Sequence, residues 1–105
     1  MITICTGILK DEIRVAVTGH AGFAEKGQDI VCAAVSMMCA AFAEAAKRED
    51  RLLENKEEDG KQLIRVMLVW DTAIWLRMFM AGAELLEAQY PDHVGVIGSG
   101  RNQPP

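Results

Sequence analysis

From Ile30 to Ala46 the chain carries only two polar side chains, Ser36 and Glu44. The run is rich in alanine and free of glycine and proline, so it is read as a helix, ending near Arg48. Asp29 stands directly before it as a good N-cap. Its carboxylate is placed to accept a hydrogen bond from the backbone N–H of Cys32, three residues on. A helix that is apolar on nearly every side has to be covered on every side. The expectation is a first helix buried all round, between two sheets or between one sheet and a partner subunit. The run Ile30 to Ala43 is interrupted by Ser36 and too short to span a bilayer, so no membrane is expected.

The remaining segments supply the cover. Ile2, Ile4 and Ile8 alternate with Thr3, Cys5 and Gly7, and Ile13, Val15 and Val17 alternate with Arg14, Ala16 and Thr18. With Lys10-Asp11 as the turn, the two runs predict a hairpin with one buried face. Gly19 to Gln28 holds three glycines and little periodicity, which is a loop. A charged stretch from Lys47 to Gly60 includes Leu52-Leu53, the start of a short edge strand, and Asp59-Gly60, a hairpin turn. Lys61 to Trp70 predicts a strand with two apolar faces and a central place in the sheet.

A second helix is expected from Thr72 to Gln89, capped by Asp71 or Thr72 and ended by Pro91. Its apolar stripe is Ile74, Met78, Ala81 and Leu85, with Trp75 and Leu86 beside it. A short strand, His93 to Ile97, closes the pattern. The order β-β-α-β-β-α-β predicts an α+β fold, two helices on a mostly antiparallel sheet. Residues 1–98 form one domain, and 99–105 are expected to be a flexible tail.

Charge and cysteine usage narrow the function classes. A net charge of −4 argues against direct binding of nucleic acid, which needs clustered Lys and Arg. The cysteines, Cys5, Cys32 and Cys39, are odd in number and irregularly spaced, and the N-terminus reads as a strand and not a leader. A reducing cytoplasm is the expected location. Cys5, Cys32, Cys39, His20 and His93 show no Cys-x-x-Cys or His-x-x-x-His spacing, so no metal and no other cofactor is expected. Cys5 and Cys39 read as core filling, and His93 as exposed.

The chemistry gathers at His20 and Cys32. Cysteine catalysis needs a thiolate, a base, and donors for an oxyanion. Cys32 falls in the first helical turn, where free N–H groups and the dipole favour a thiolate. His20, beside Gly19, ends a strand where the backbone can turn sharply, and the loop between is long enough to bring the imidazole to the sulfur. Asp29 either orients His20 or only caps the helix. Ser36 lies one turn beyond Cys32 on the same face. Spacing alone fits a core cysteine and a surface histidine more readily than a catalytic pair.

The run Gly19-His20-Ala21-Gly22-Phe23-Ala24-Glu25-Lys26-Gly27-Gln28-Asp29-Ile30-Val31-Cys32-Ala33-Ala34-Val35-Ser36 resembles the signature of the ribosomal-processing cysteine proteases, the Prp (YsxB-like) family. The likeness extends over the chain in length and element order. It implies a cysteine endopeptidase that removes an N-terminal extension from large ribosomal subunit protein twenty-seven, after an apolar stretch ending in phenylalanines. It implies His20 as base and Cys32 as nucleophile, with Asp29 and Ser36 at further motif positions. The loop with Ala21, Gly22, Phe23 and Gly27 then becomes a flap over the substrate, and the chain a homodimer packed through its helices. Trp70, Trp75 and the glycine- and proline-containing tail depart from the pattern. The competing reading is a non-catalytic dimeric module that binds a ribosomal protein or assembly factor.

Overall fold

Four of the five strands bury alternate residues on the same face, and both helices lie on that face. The computed structural model describes residues 1–25 and 27–98, so the expected tail falls outside the described residues. The elements are β1 (Ile2–Leu9), β2 (Glu12–Thr18), α1 (Ile30–Arg48), β3 (Leu52–Glu58), β4 (Lys61–Met67), α2 (Trp70–Gln89) and β5 (Val94–Gly98). This is the predicted order. The five strands lie as β3-β4-β2-β1-β5. All neighbours are antiparallel except β1 and β5, which run parallel.

Ile2 and Ile4, Ile13 and Val15, Ile64 and Val66, and Val94 and Val96 form the buried face. Val31, Val35, Cys39 and Phe42 of α1 pack on it with Leu76, Phe79 and Ala83 of α2. The rings of Phe42 and Phe79 meet at 5.7 Å between the helices. Met38 packs closely over Gly82, where a Cβ would stand 3.1 Å from Met38 Cε.

The opposite face of the sheet is open, and there Arg14 and Arg65 stand in register on β2 and β4. Like charges so paired repel. Glu12 resolves the conflict by accepting from both guanidinium groups of Arg65 and Arg14, at 2.7 and 2.9 Å, while Glu54 accepts from Arg65 at 3.1 Å. The Arg65 guanidinium, with Arg14 behind it, holds the Glu12 carboxyl down at about 2.

Three expectations need correction. First, α1 is not buried on all sides. Val31, Val35, Cys39, Phe42, Ala43 and Ala46 are buried, but Ile30 and Met37 are 58% and 67% exposed. In a two-layer fold the helix has the sheet beneath it and α2 beside it, and nothing among the described residues covers its outer side.

Second, the buried face of α2 is Thr72, Leu76, Phe79 and Ala83, whereas Ile74, Met78 and Leu85 of the expected stripe point outward. The helix is apolar on two faces, so periodicity alone cannot choose between them. It also begins two residues earlier than expected, at Trp70. Val69 has no side chain able to cap it. Thr72, fully buried, instead reaches back to accept the Val69 N–H at 2.9 Å and lies 2.7 Å from the Met67 carbonyl.

Third, Cys5 lies on the open face and is exposed, while Cys39 is buried as expected. Odd positions of β1 face away from the helices. Burial pushes the Cys39 thiol up to about 11.

Candidate active site

The loop between β2 and α1 starts at a residue that must be glycine. Gly19 has a φ of 87°, and a Cβ there would collide with the Met1 carbonyl. Its N–H donates to the Gly60 carbonyl at 2.9 Å, which ties the loop to the β3–β4 turn. His20 follows and is exposed, with its Nε2 beside Gly60. A φ of 71° at Gly60 suits the Asp-Gly turn expected there.

Asp29 caps α1 as its spacing predicts. Its Oδ1 accepts from Cys32 N at 2.9 Å. Its other oxygen turns back to the loop and accepts from Phe23 N at 3.0 Å and Ala24 N at 3.4 Å. These N–H groups, Cys32's foremost, hold the Asp29 carboxyl below its usual range. Among the described contacts of Asp29 none is to His20, so it serves as cap and loop anchor.

Cys32 is half-buried, and its Sγ accepts from Ala21 N at 3.4 Å. It shares two adjoining depressions with His20 and Ser36. One, of about 170 Å³, runs under the sheet's end and is lined also by Val17, Glu57 and Gln62. The other, of about 640 Å³, opens on the loop side beside Gly22, Gly27 and Asp29. The structure thus gathers His20, Asp29, Cys32 and Ser36 at one corner, where the loop forms a cover. The Ala21 N–H donates to the Cys32 sulfur and Gly22 and Gly27 line the larger depression, while Phe23 packs on Tyr90 and His93.

Two groups of residues at this corner escaped the sequence. Glu57, Glu58, Lys61 and Gln62 line the cleft because the β2–β4 register sets Thr18 opposite Lys61. The Asp59-Gly60 turn was legible, but its place beside His20 depends on non-local pairing. The second group is Tyr90 and His93. Contrary to expectation His93 is half-buried, because its ring packs edge-on against Phe23 and bonds the Ala21 carbonyl.

A cysteine in the first turn of a helix and an imidazole line the same cleft, which is the residue pairing that cysteine hydrolases use. The family model described as "Cysteine protease Prp" matches residues 1–95. The chain belongs to the Prp cysteine protease family. No curated protein matches it.

Solved structures agree on the fold. The essential ribosomal processing protease Prp of S. aureus, with a covalently linked product peptide, aligns over 94% of this chain and 100% of its own at 23% identity and a TM-score of 0.77. The same protease with a substrate peptide gives 94% and 100% coverage, 22% identity and a TM-score of 0.71. SMU.848 from Streptococcus mutans aligns over 93% of both chains at 28% identity and a TM-score of 0.69.

For this Prp family member, Asp29→Asn separates the two duties of the carboxylate. Asn caps a helix about as well as Asp, but turns an N–H₂ toward the loop amides. D29N is expected to melt within about 3 °C of the wild type, while amide exchange at Phe23 and Ala24 accelerates. Because the Asp29 carboxyl is depressed, wild-type protection at those amides holds above the ordinary value of 3.8 and fades as pH falls below it. Hydrogen exchange read by NMR checks both outcomes, and unchanged exchange in D29N refutes the anchoring role.

Proposed function

We propose that this chain is a cytoplasmic cysteine endopeptidase that removes the N-terminal extension of large ribosomal subunit protein twenty-seven, with Cys32 as nucleophile and His20 as base. The observation that carries the reading is the corner itself. Cys32, half-buried at the start of α1, shares its cleft with the His20 imidazole, and the Ala21 N–H points at its sulfur. The covalent product peptide on the S. aureus protease supports the same class of chemistry.

The reaction runs in two halves. His20 takes the Cys32 thiol proton, the resulting thiolate attacks the scissile carbonyl carbon, and the carbonyl π electron pair moves to oxygen. Cys32's own amide is committed to Asp29. The oxyanion is therefore left to other N–H groups at the corner, while the Ala21 N–H faces the sulfur. The C–N bond breaks as His20 gives its proton to the leaving amine, which leaves a thioester on Cys32. His20 then takes a proton from water, the resulting hydroxide attacks the thioester, and the free carboxylate departs as the thiolate re-forms. Ser36 lies one turn along the helix and contributes a hydroxyl to the same wall.

The outer surface of the helices supports a homodimer. Met38, Ala41, Ala45, Trp75 and Met78 line an apolar groove of about 410 Å³ between α1 and α2. Ile74, Met78 and Leu85 extend this exposed apolar face. A second copy laid on it gives α1 the remaining cover that its composition calls for. Sedimentation should find a particle of twice the 11.5 kDa chain mass. A monomer at tens of micromolar protein contradicts the dimer.

The proteolytic assignment is tested with the extended ribosomal protein as substrate, its cleavage followed by mass spectrometry. Cys32→Ala should abolish cleavage, and His20→Ala should slow it by at least about 100-fold. Full cleavage by C32A refutes it.

A further inference from the structure

We propose that His93 is a positioning residue of this active site, holding the Ala21 backbone so that its N–H stays aimed at the Cys32 sulfur. The proposal rests on the proteolytic reading above for its effect on catalysis, but not for the anchor itself.

Three features make the anchor. The His93 backbone is fixed on both sides, its N–H donating to the Tyr90 carbonyl and its carbonyl accepting from Ile2 N, each at 2.9 Å. Its Nδ1 lies 2.8 Å from the Ala21 carbonyl oxygen. A carbonyl oxygen can only accept, so Nδ1 carries the proton. The third feature is the ring packing. Phe23 stands edge-on to His93 at 5.4 Å and to Tyr90 at 5.3 Å. The start of α1 therefore holds the cover from one side through Asp29, and the α2–β5 corner holds it from the other.

Ala21 is where the two meet. It is 3% exposed, whereas Gly22 to Glu25 are exposed, so it is the point at which the cover leaves the body of the protein. Its carbonyl is held by His93, and its N–H lies 3.4 Å from Cys32 Sγ. Both bonds restrain the dihedrals of one residue. Without the first, Ala21 turns and the second lengthens. A displacement of about 1 Å at a reacting centre can lower a rate by up to two orders of magnitude. His93 lines neither depression that holds Cys32, so its loss should act on turnover and leave substrate affinity nearly unchanged. Protonation of the free ring nitrogen leaves the Nδ1 donor in place, so the device is a mount and not a pH switch.

The test separates the donor from the ring. His93→Phe keeps an aromatic partner for Phe23 and removes the N–H, while His93→Asn keeps an N–H near the same place and removes the ring. Two readouts are taken on the full chain: amide exchange at Ala21 without substrate, and kcat and KM for the extended ribosomal protein.

H93F should speed Ala21 exchange and lower kcat, each by about tenfold, with KM within about twofold. H93N should restore both to within about threefold of wild type. The proposal is overturned by wild-type Ala21 exchange in H93F, or by H93N as impaired as H93F, which would show that the donor does not hold Ala21. If H93F does not fold, His93→Ala takes its place against H93N with the same criteria. If the wild type itself cleaves nothing, the proteolytic reading fails, and Ala21 exchange alone decides for or against the anchor.

Discussion

The carboxylate of Asp29 starts the helix that carries Cys32 and holds down the loop that covers it. One oxygen takes the Cys32 amide, and the other takes the Phe23 and Ala24 amides. Helix start and cover are thereby set relative to each other by a single group of small reach, held ionised by the N–H groups it bonds. Cys32 can then occupy the first turn of α1 with its sulfur facing the cover, since the helix has a defined beginning there.

The sheet does the rest of the positioning. Gly19 and Gly60 bond across the ends of β2 and the β3–β4 turn, which places His20 over the turn and beside the start of α1. β5 returns parallel to β1 and brings His93 under the Ala21 carbonyl. Glu87 of α2 accepts the Val96 N–H at 3.0 Å along β5, so a strand at the sheet margin is satisfied by a helix side chain. The cover, the Cys32 thiol and the His20 imidazole come from one contiguous segment, but their geometry depends on strands far along the chain.

That division explains what could be read from the sequence. Local signals were reliable. The strands at residues 2–8 and 12–18, the buried positions Ile2, Ile4, Ile13 and Val15, the Asp59-Gly60 turn, the Asp29 cap and the element order appear as expected, whereas Ile8, at the hairpin end of its strand, is exposed. The choice of buried face was not legible for α2, because Leu76 and Phe79 compete with Ile74 and Met78 at equivalent helical spacing. The cover of α1 was overestimated because alanine suits a packed helix face and an open one alike. Residues such as His93 and Glu57 join the site only through pairing register and a contact 72 positions apart, which no local pattern encodes. The resemblance from Gly19 to Ser36 added what spacing could not supply, the family.

The three thiols provide the most direct test of the central claim, that the fold makes Cys32 a nucleophile. Cys5 is exposed, Cys32 is half-buried under the loop, and Cys39 is buried with its thiol pushed up to about 11. Accessibility alone predicts that Cys5 reacts first. Limited alkylation with iodoacetamide at neutral pH, mapped by mass spectrometry, should instead label Cys32 ahead of Cys5, leave Cys39 unmodified, and show slower Cys32 labelling in H20A. Labelling of Cys5 ahead of Cys32, with no change in H20A, would contradict the account.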